Sequence, residues 1–139
     1  MFGRKKLLTY PMTEGLVLNS LYDLGYEKTI TDTRGYGFIY QVPINPAQAI
    51  RYTNSHNYIK QDGILECPEF CDIYKGYLAI KGLGNTLAMR CSVMEEGRQG
   101  HRLIAFLQDN KLVFGEPETG KILLKETTDR FKVLKLRIS

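Results

Sequence analysis

Apolar and polar positions change period several times along the chain, and each change marks an element. Leu16, Val17, Leu21 and Leu24 recur at helical spacing, after Thr13, a side chain suited to cap a helix, and before Gly25, which stops the pattern. A helix from about Glu14 to Leu24 follows. From Tyr26 to Val42 the residues turn to Thr, Ile, Tyr and Phe, with Thr33-Arg34-Gly35 between two runs. That predicts a hairpin with strands of about Tyr26 to Thr31 and Tyr36 to Val42. Pro43 and Pro46 close it, and Pro46 can head a short helix carrying Ala47, Ala49 and Ile50 to Tyr52. The polar run from Thr53 to Asn57 reads as a loop.

Phe70, Tyr74, Tyr77 and Leu78, flanked by Ile73, describe the apolar face of a second helix, with Pro68 in its first turn and Cys67 at its N-terminus. Gly82-Leu83-Gly84-Asn85 is a turn and not a phosphate loop, because no Lys-Ser/Thr follows. Leu87 to Met94 reads as a strand with Cys91 packed in a stripe of Ala and Met, and Glu95 to Gly100 as a polar connection. Next, His101 opens an apolar run, Gln108-Asp109-Asn110-Lys111 turns it, and a second run ends on Glu116-Pro117. Pairing those runs as a hairpin folds Glu116 back towards His101. Lys121 to Lys125 reads as a strand, Thr127-Thr128-Asp129 as a turn, and Phe131, Val133, Leu136 and Ile138 as a final strand. No internal repeat is present.

Composition narrows the picture modestly. A chain of 139 residues fits one domain, here an N-terminal scaffold of about 1–57 and a motif-bearing core of about 58–139. No apolar run approaches the ~20 residues of a membrane span. The basic start Met1-Phe2-Gly3-Arg4-Lys5-Lys6 is followed by too short an apolar segment for a signal peptide, so a cytoplasmic location is expected. Nineteen Lys and Arg against fifteen Asp and Glu give a net charge of +4, concentrated at the two ends. Without stacking aromatics among those cations, nucleic-acid binding is disfavoured against two solvated basic ends. Three cysteines at spacings of 4 and 20 form neither a disulfide framework nor a paired zinc signature, so reduced thiols and no metal or cofactor are expected. His56 lacks a ligand partner at metal spacing and reads as a loop histidine.

Thiol hydrolysis needs a thiolate, an imidazole, a group that orients the imidazole and an N–H donor for the oxyanion. Cys67 heads a helix, where unpaired N–H groups and the positive dipole end favour a thiolate. His101 starts a strand of the following sheet, Glu116 ends the adjacent strand, and Gln61 precedes the cysteine by six residues. Cys71, one turn further on, is the smaller buried hydrophobe.

The order Gln61, Cys67, His101 resembles that of papain-like cysteine proteases. More narrowly, Glu66-Cys67-Pro68-Glu69-Phe70, then Gly100-His101, then Phe114-Gly115-Glu116-Pro117-Glu118-Thr119 resembles a small papain-like domain at the C-terminus of the fairy-ring mushroom agglutinin and in related bacterial and phage proteins. The resemblance covers about Tyr58 to the C-terminus. It implies a papain-like α+β fold, with a central helix headed by Cys67 on an antiparallel, barrel-like sheet. It implies a cysteine peptidase acting on a peptide or protein through a thioester, with Cys67 as nucleophile, His101 as base, Glu116 holding the imidazole, and Gln61 in the oxyanion hole. Pro68-Glu69 stands where relatives carry paired aspartates, Arg102 where they favour a small residue, and Glu118 where they carry glutamine. Two alternatives stay open: a catalytically silent papain-like binding or assembly module of a phage or mobile element, and a small basic nucleic-acid-binding domain.

Overall fold

The computed structural model describes residues 6–53, 67–96 and 100–139, with no side-chain detail for Cys67 and Pro68. The elements in order are β1 (Thr9–Thr13), α1 (Glu14–Asp23), a 3-10 turn (Glu27–Thr29), β2 (Ile30–Thr31), β3 (Ile39–Pro43) and α2 (Pro46–Arg51). After them come α3 (Cys67–Ile80), β4 (Met89–Glu95), β5 (Gly100–Gln108), β6 (Lys111–Glu116), β7 (Lys121–Ile122), α4 (Lys125–Thr128) and β8 (Phe131–Arg137). β1 and β3 form a two-stranded sheet, and the other strands form a six-stranded sheet in the order β2, β8, β4, β5, β6, β7.

The middle of the larger sheet is covered on both faces. Leu103, Ala105 and Leu107 of β5 pack with Val17 and Leu21 of α1 and with Tyr40 and Val42 of β3. Ile104 and Phe106, pointing the other way, pack with Cys71, Tyr74 and Leu78 of α3 and with Ala49 and Ile50 of α2. A strand buried on both faces has no polar side to present, so the run from Leu103 to Leu107 is continuously apolar. Its turn to β6 is tight: Asp109 and Asn110 both adopt positive φ, 49° and 58°, the backbone that matches the twist of a two-residue hairpin.

The first helix forms as its spacing predicts. Thr13 caps it by accepting from the Leu16 N–H at 3.4 Å, and Gly25 leaves it at φ 90°. The expected hairpin between Tyr26 and Val42 does not form. β2 pairs in parallel with β8, while β3 pairs antiparallel with β1. The cause is Glu14, whose carboxylate is 1% exposed. It accepts from the backbone N–H of Arg34 at 2.6 Å, from that of Gly35 at 2.5 Å, and from the Tyr40 hydroxyl at 3.0 Å. Residues that would have turned a hairpin are bound instead to the start of α1.

The architecture also corrects the expected papain-like α+β fold with a barrel-like antiparallel sheet. Strands dominate, the six-stranded sheet is mixed because β2 runs parallel to β8, and its ends, β2 and β7, are not paired with each other. Closure into a barrel requires those edges to join. Residues expected as a strand and a turn from Lys121 to Asp129 form only the short β7 and the single turn of α4.

Candidate functional site

Cys67 is the first residue of α3, where the sequence places it. Gln61 and His56 lie outside the described residues. One turn into α3, Phe70 is 2% exposed and meets the open end of the β5 to β6 hairpin. With Arg102, Glu116, Pro117 and Glu118 it lines a notch of about 10 Å³, room for roughly one water-sized group at ~10–15 Å³. Elements far apart in sequence thus converge at the start of α3.

His101 is the second residue of β5 and lies opposite Val93 of β4. Its ring sits 6.2 Å from that of Phe131, centroid to centroid, and its Nε2 is 3.3 Å from Oε2 of Glu95. The imidazole is 39% exposed and the Glu95 carboxylate 11%, so the pair stands at the rim of the core, half shielded from water. With its proton on Nε2 the ring donates to Glu95 and leaves Nδ1 as an acceptor.

Ile104 pairs with Gly115, so Glu116 continues the ladder diagonal to His101 on the same face. Partial burial raises the Glu116 carboxyl above the usual carboxylate range, Glu118 adds to the rise, and a protonated His101 works against it. A carboxyl raised by folding takes up a proton more readily folded than unfolded. Folding is therefore penalised above the raised folded value, and the penalty fades as pH falls towards the ordinary carboxylate range. Glu116→Gln removes the ionisable group. Its melting temperature is expected above that of the parent at pH 7, with the difference closing by about pH 4. A difference independent of pH contradicts this.

The site therefore contains an imidazole flanked by two carboxylates, and the one in direct contact is Glu95. Sequence reasoning passed over Glu95 as part of a polar connection. A signal was present: Met89, Cys91, Val93 and Glu95 alternate down one face of β4, and the antiparallel register that sets Val93 opposite His101 leaves Glu95 diagonal to it. Cys91 is buried in the core, and burial pushes its thiol up to about 12. Among the described residues no group of three or more His, Cys, Asp or Glu is arranged to hold a metal ion.

No protein-family model matches the sequence, and no curated protein matches it. Solved structures do resemble the fold. One, described as a PSL1a–E64 complex, is 16% identical with a TM-score of 0.69 over 92% of this chain and 50% of that one. Another is the Polyporus squamosus lectin bound to the human-type influenza-binding epitope Neu5Acα2-6Galβ1-4GlcNAc, at 14% identity and a TM-score of 0.71 over 92% of this chain and 49% of that one. The chain spans about half the length of each. These descriptions name a lectin and a ligand complex, not a papain-like peptidase. The resemblance to papain-like cysteine proteases, the hydrolase activity, the silent papain-like module, the nucleic-acid-binding domain and the peptide or protein partner are corrected accordingly. What the likeness establishes for this chain is its fold, a mixed sheet with helices on both faces, of the kind found in half of those structures.

Proposed function

We propose that this chain is a ligand-binding domain, with its site where the first turn of α3 meets the open end of the β5 to β6 hairpin. Among the described side chains, those offered to a ligand are His101 and Glu116, and Cys67 and Gln61 are kept as proposed site residues. The observation that carries the reading is the convergence of Phe70 of α3 with Arg102, Glu116 and Glu118 at one notch, beside the His101 to Glu95 pair. An apolar floor edged by a few polar groups is the ordinary composition of a small-molecule site. The notch is shallow, so a ligand lies across it and not within it.

E64, named in one neighbour's complex, is the first ligand to test on this chain. The second reading is sugar binding, favoured by the epitope named for the Polyporus squamosus lectin. Carboxylates and Arg102 around the notch offer acceptors and donors to sugar hydroxyls. Calorimetric titration with each ligand, with intact mass recorded afterwards, separates the two. E64 binding that His101→Ala weakens about tenfold supports the first reading. Binding of the trisaccharide alone supports the second, and binding of neither ends both.

A further inference from the structure

Apart from the notch, the face of the sheet turned towards α3 gathers cations. Arg90 of β4 lies opposite Arg137 of β8, and Ser92 of β4 lies between Arg102 of β5 and Lys135 of β8. Like charges facing across strands repel one another. Two carboxylates offset part of this: Asp72 is 3.1 Å from Arg90 and Asp32 is 2.6 Å from Arg137. Among the described residues Arg102 and Lys135 form no ion pair. Nearby, Lys75 donates from Nζ to the Ala88 carbonyl at 2.8 Å. Burial, with the charges of Arg90 and Arg34, brings its ammonium down to about 8, as expected in a positive field.

Arg90, Arg102 and Arg137, with Ser92 and Asp72, line a cavity of about 50 Å³. At ~10–15 Å³ per water-sized group, that is room for roughly three to five such groups. Arg90 is incompletely satisfied. It donates from one terminal nitrogen to Asp72 and from the other to the Ser139 carbonyl at 3.3 Å, while its buried Nε has no hydrogen-bond partner.

We propose that this cavity binds a small tetrahedral oxyanion of the phosphate or sulfate class, free or at the end of an ester, held by Arg90, Arg102 and Arg137. Planar guanidinium forks match the paired oxygens of such an anion. The adjacent Ser92 hydroxyl adds a donor, and the surrounding cations disfavour a metal ion in the same space. Arg102 lies on the opposite face of β5 from His101 and edges both this cavity and the notch, whereas Arg90 and Arg137 line the cavity alone, so Arg137→Gln separates this site from the one proposed at the notch.

The test is calorimetric titration of the whole chain with inorganic phosphate, sulfate and phenyl phosphate, against chloride at matched ionic strength. Saturable binding of at least one is expected, and the tightest of the three distinguishes a free anion from an ester. Arg102→Ala, at an exposed strand position, and Arg137→Gln are each expected to weaken binding at least about tenfold. Lys111→Ala removes one positive charge at the far end of the β5 to β6 hairpin, six residues along β5 from Arg102 by its pairing with Gln108, and is expected to leave binding unchanged. No saturable binding, or an equal loss in Lys111→Ala, overturns the proposal. Should Arg137→Gln fail to fold, retention of full affinity in Arg102→Ala is sufficient to overturn it.

Discussion

Replacing Glu14 with alanine is expected to lower stability by about 3–5 kcal/mol, measured by urea unfolding. The carboxylate is almost wholly enclosed and takes hydrogen bonds from the Arg34 and Gly35 N–H groups and from the Tyr40 hydroxyl. Truncation strands these donors in a region water reaches poorly, and an unsatisfied buried donor costs about 1–3 kcal/mol. Tyr40→Phe removes only one partner and leaves the two backbone donors on Glu14, so a loss of about 1 kcal/mol is expected. The raised Tyr40 hydroxyl, driven first by burial and then by its bond to Glu14, is consistent with that contact. A loss below about 1 kcal/mol in Glu14→Ala would mean that the loop from Arg34 to Phe38 is held by its backbone bonds to Glu14 and Gly15 instead.

Tyr74→Ala is the second large loss, about 4–5 kcal/mol. Tyr74 is fully buried in the middle of α3, packs among Ala49, Ile50, Ile104 and Phe106, and donates from its hydroxyl to the Ala49 carbonyl at 2.7 Å. It thereby ties α3 to α2 and sets the position of the helix start, which lies about two turns before it. Removing the ring leaves a cavity as well as an orphaned carbonyl, and the two terms add. Tyr74→Phe keeps the ring and drops only the hydrogen bond, for an expected loss of about 1–1.5 kcal/mol. A loss in Tyr74→Ala no larger than in Tyr74→Phe would show that α3 is anchored elsewhere.

Elements with local causes were legible in the sequence. A cap, a period and a stop lie within α1, and Pro46 after Asn45 announces α2, where the Asn45 side chain accepts from the Ala47 and Gln48 N–H groups at 3.0 and 3.3 Å. The β5 to β6 hairpin was legible too, because Asp109-Asn110 tolerates the positive φ that its turn demands. Pairings decided at long range were not. Nothing local to Ile30 and Thr31 indicates that they join β8 more than a hundred residues later, and nothing local to Glu14 indicates that it will hold the chain at Arg34.

The candidate site divides in the same way. Cys67 at a helix start could be read from Pro68 and the apolar period that follows, and the diagonal of His101 and Glu116 from the hairpin. Glu95 required the pairing of β4 with β5, a contact between strands joined by a connection with no turn signature. That arrangement alone does not name an activity. The same residue types suit a binding site as well as a catalytic one, and a shared fold does not fix chemistry.

The most direct test of the ligand site is a backbone-amide NMR titration of this chain with E64, the ligand named for a structure that shares its fold. Shifts are expected to cluster at Phe70, His101, Arg102, Glu116 and Glu118, the residues that surround the start of α3. A map centred elsewhere on the sheet, or no change at saturating ligand with the trisaccharide equally silent, would contradict a ligand site at that position.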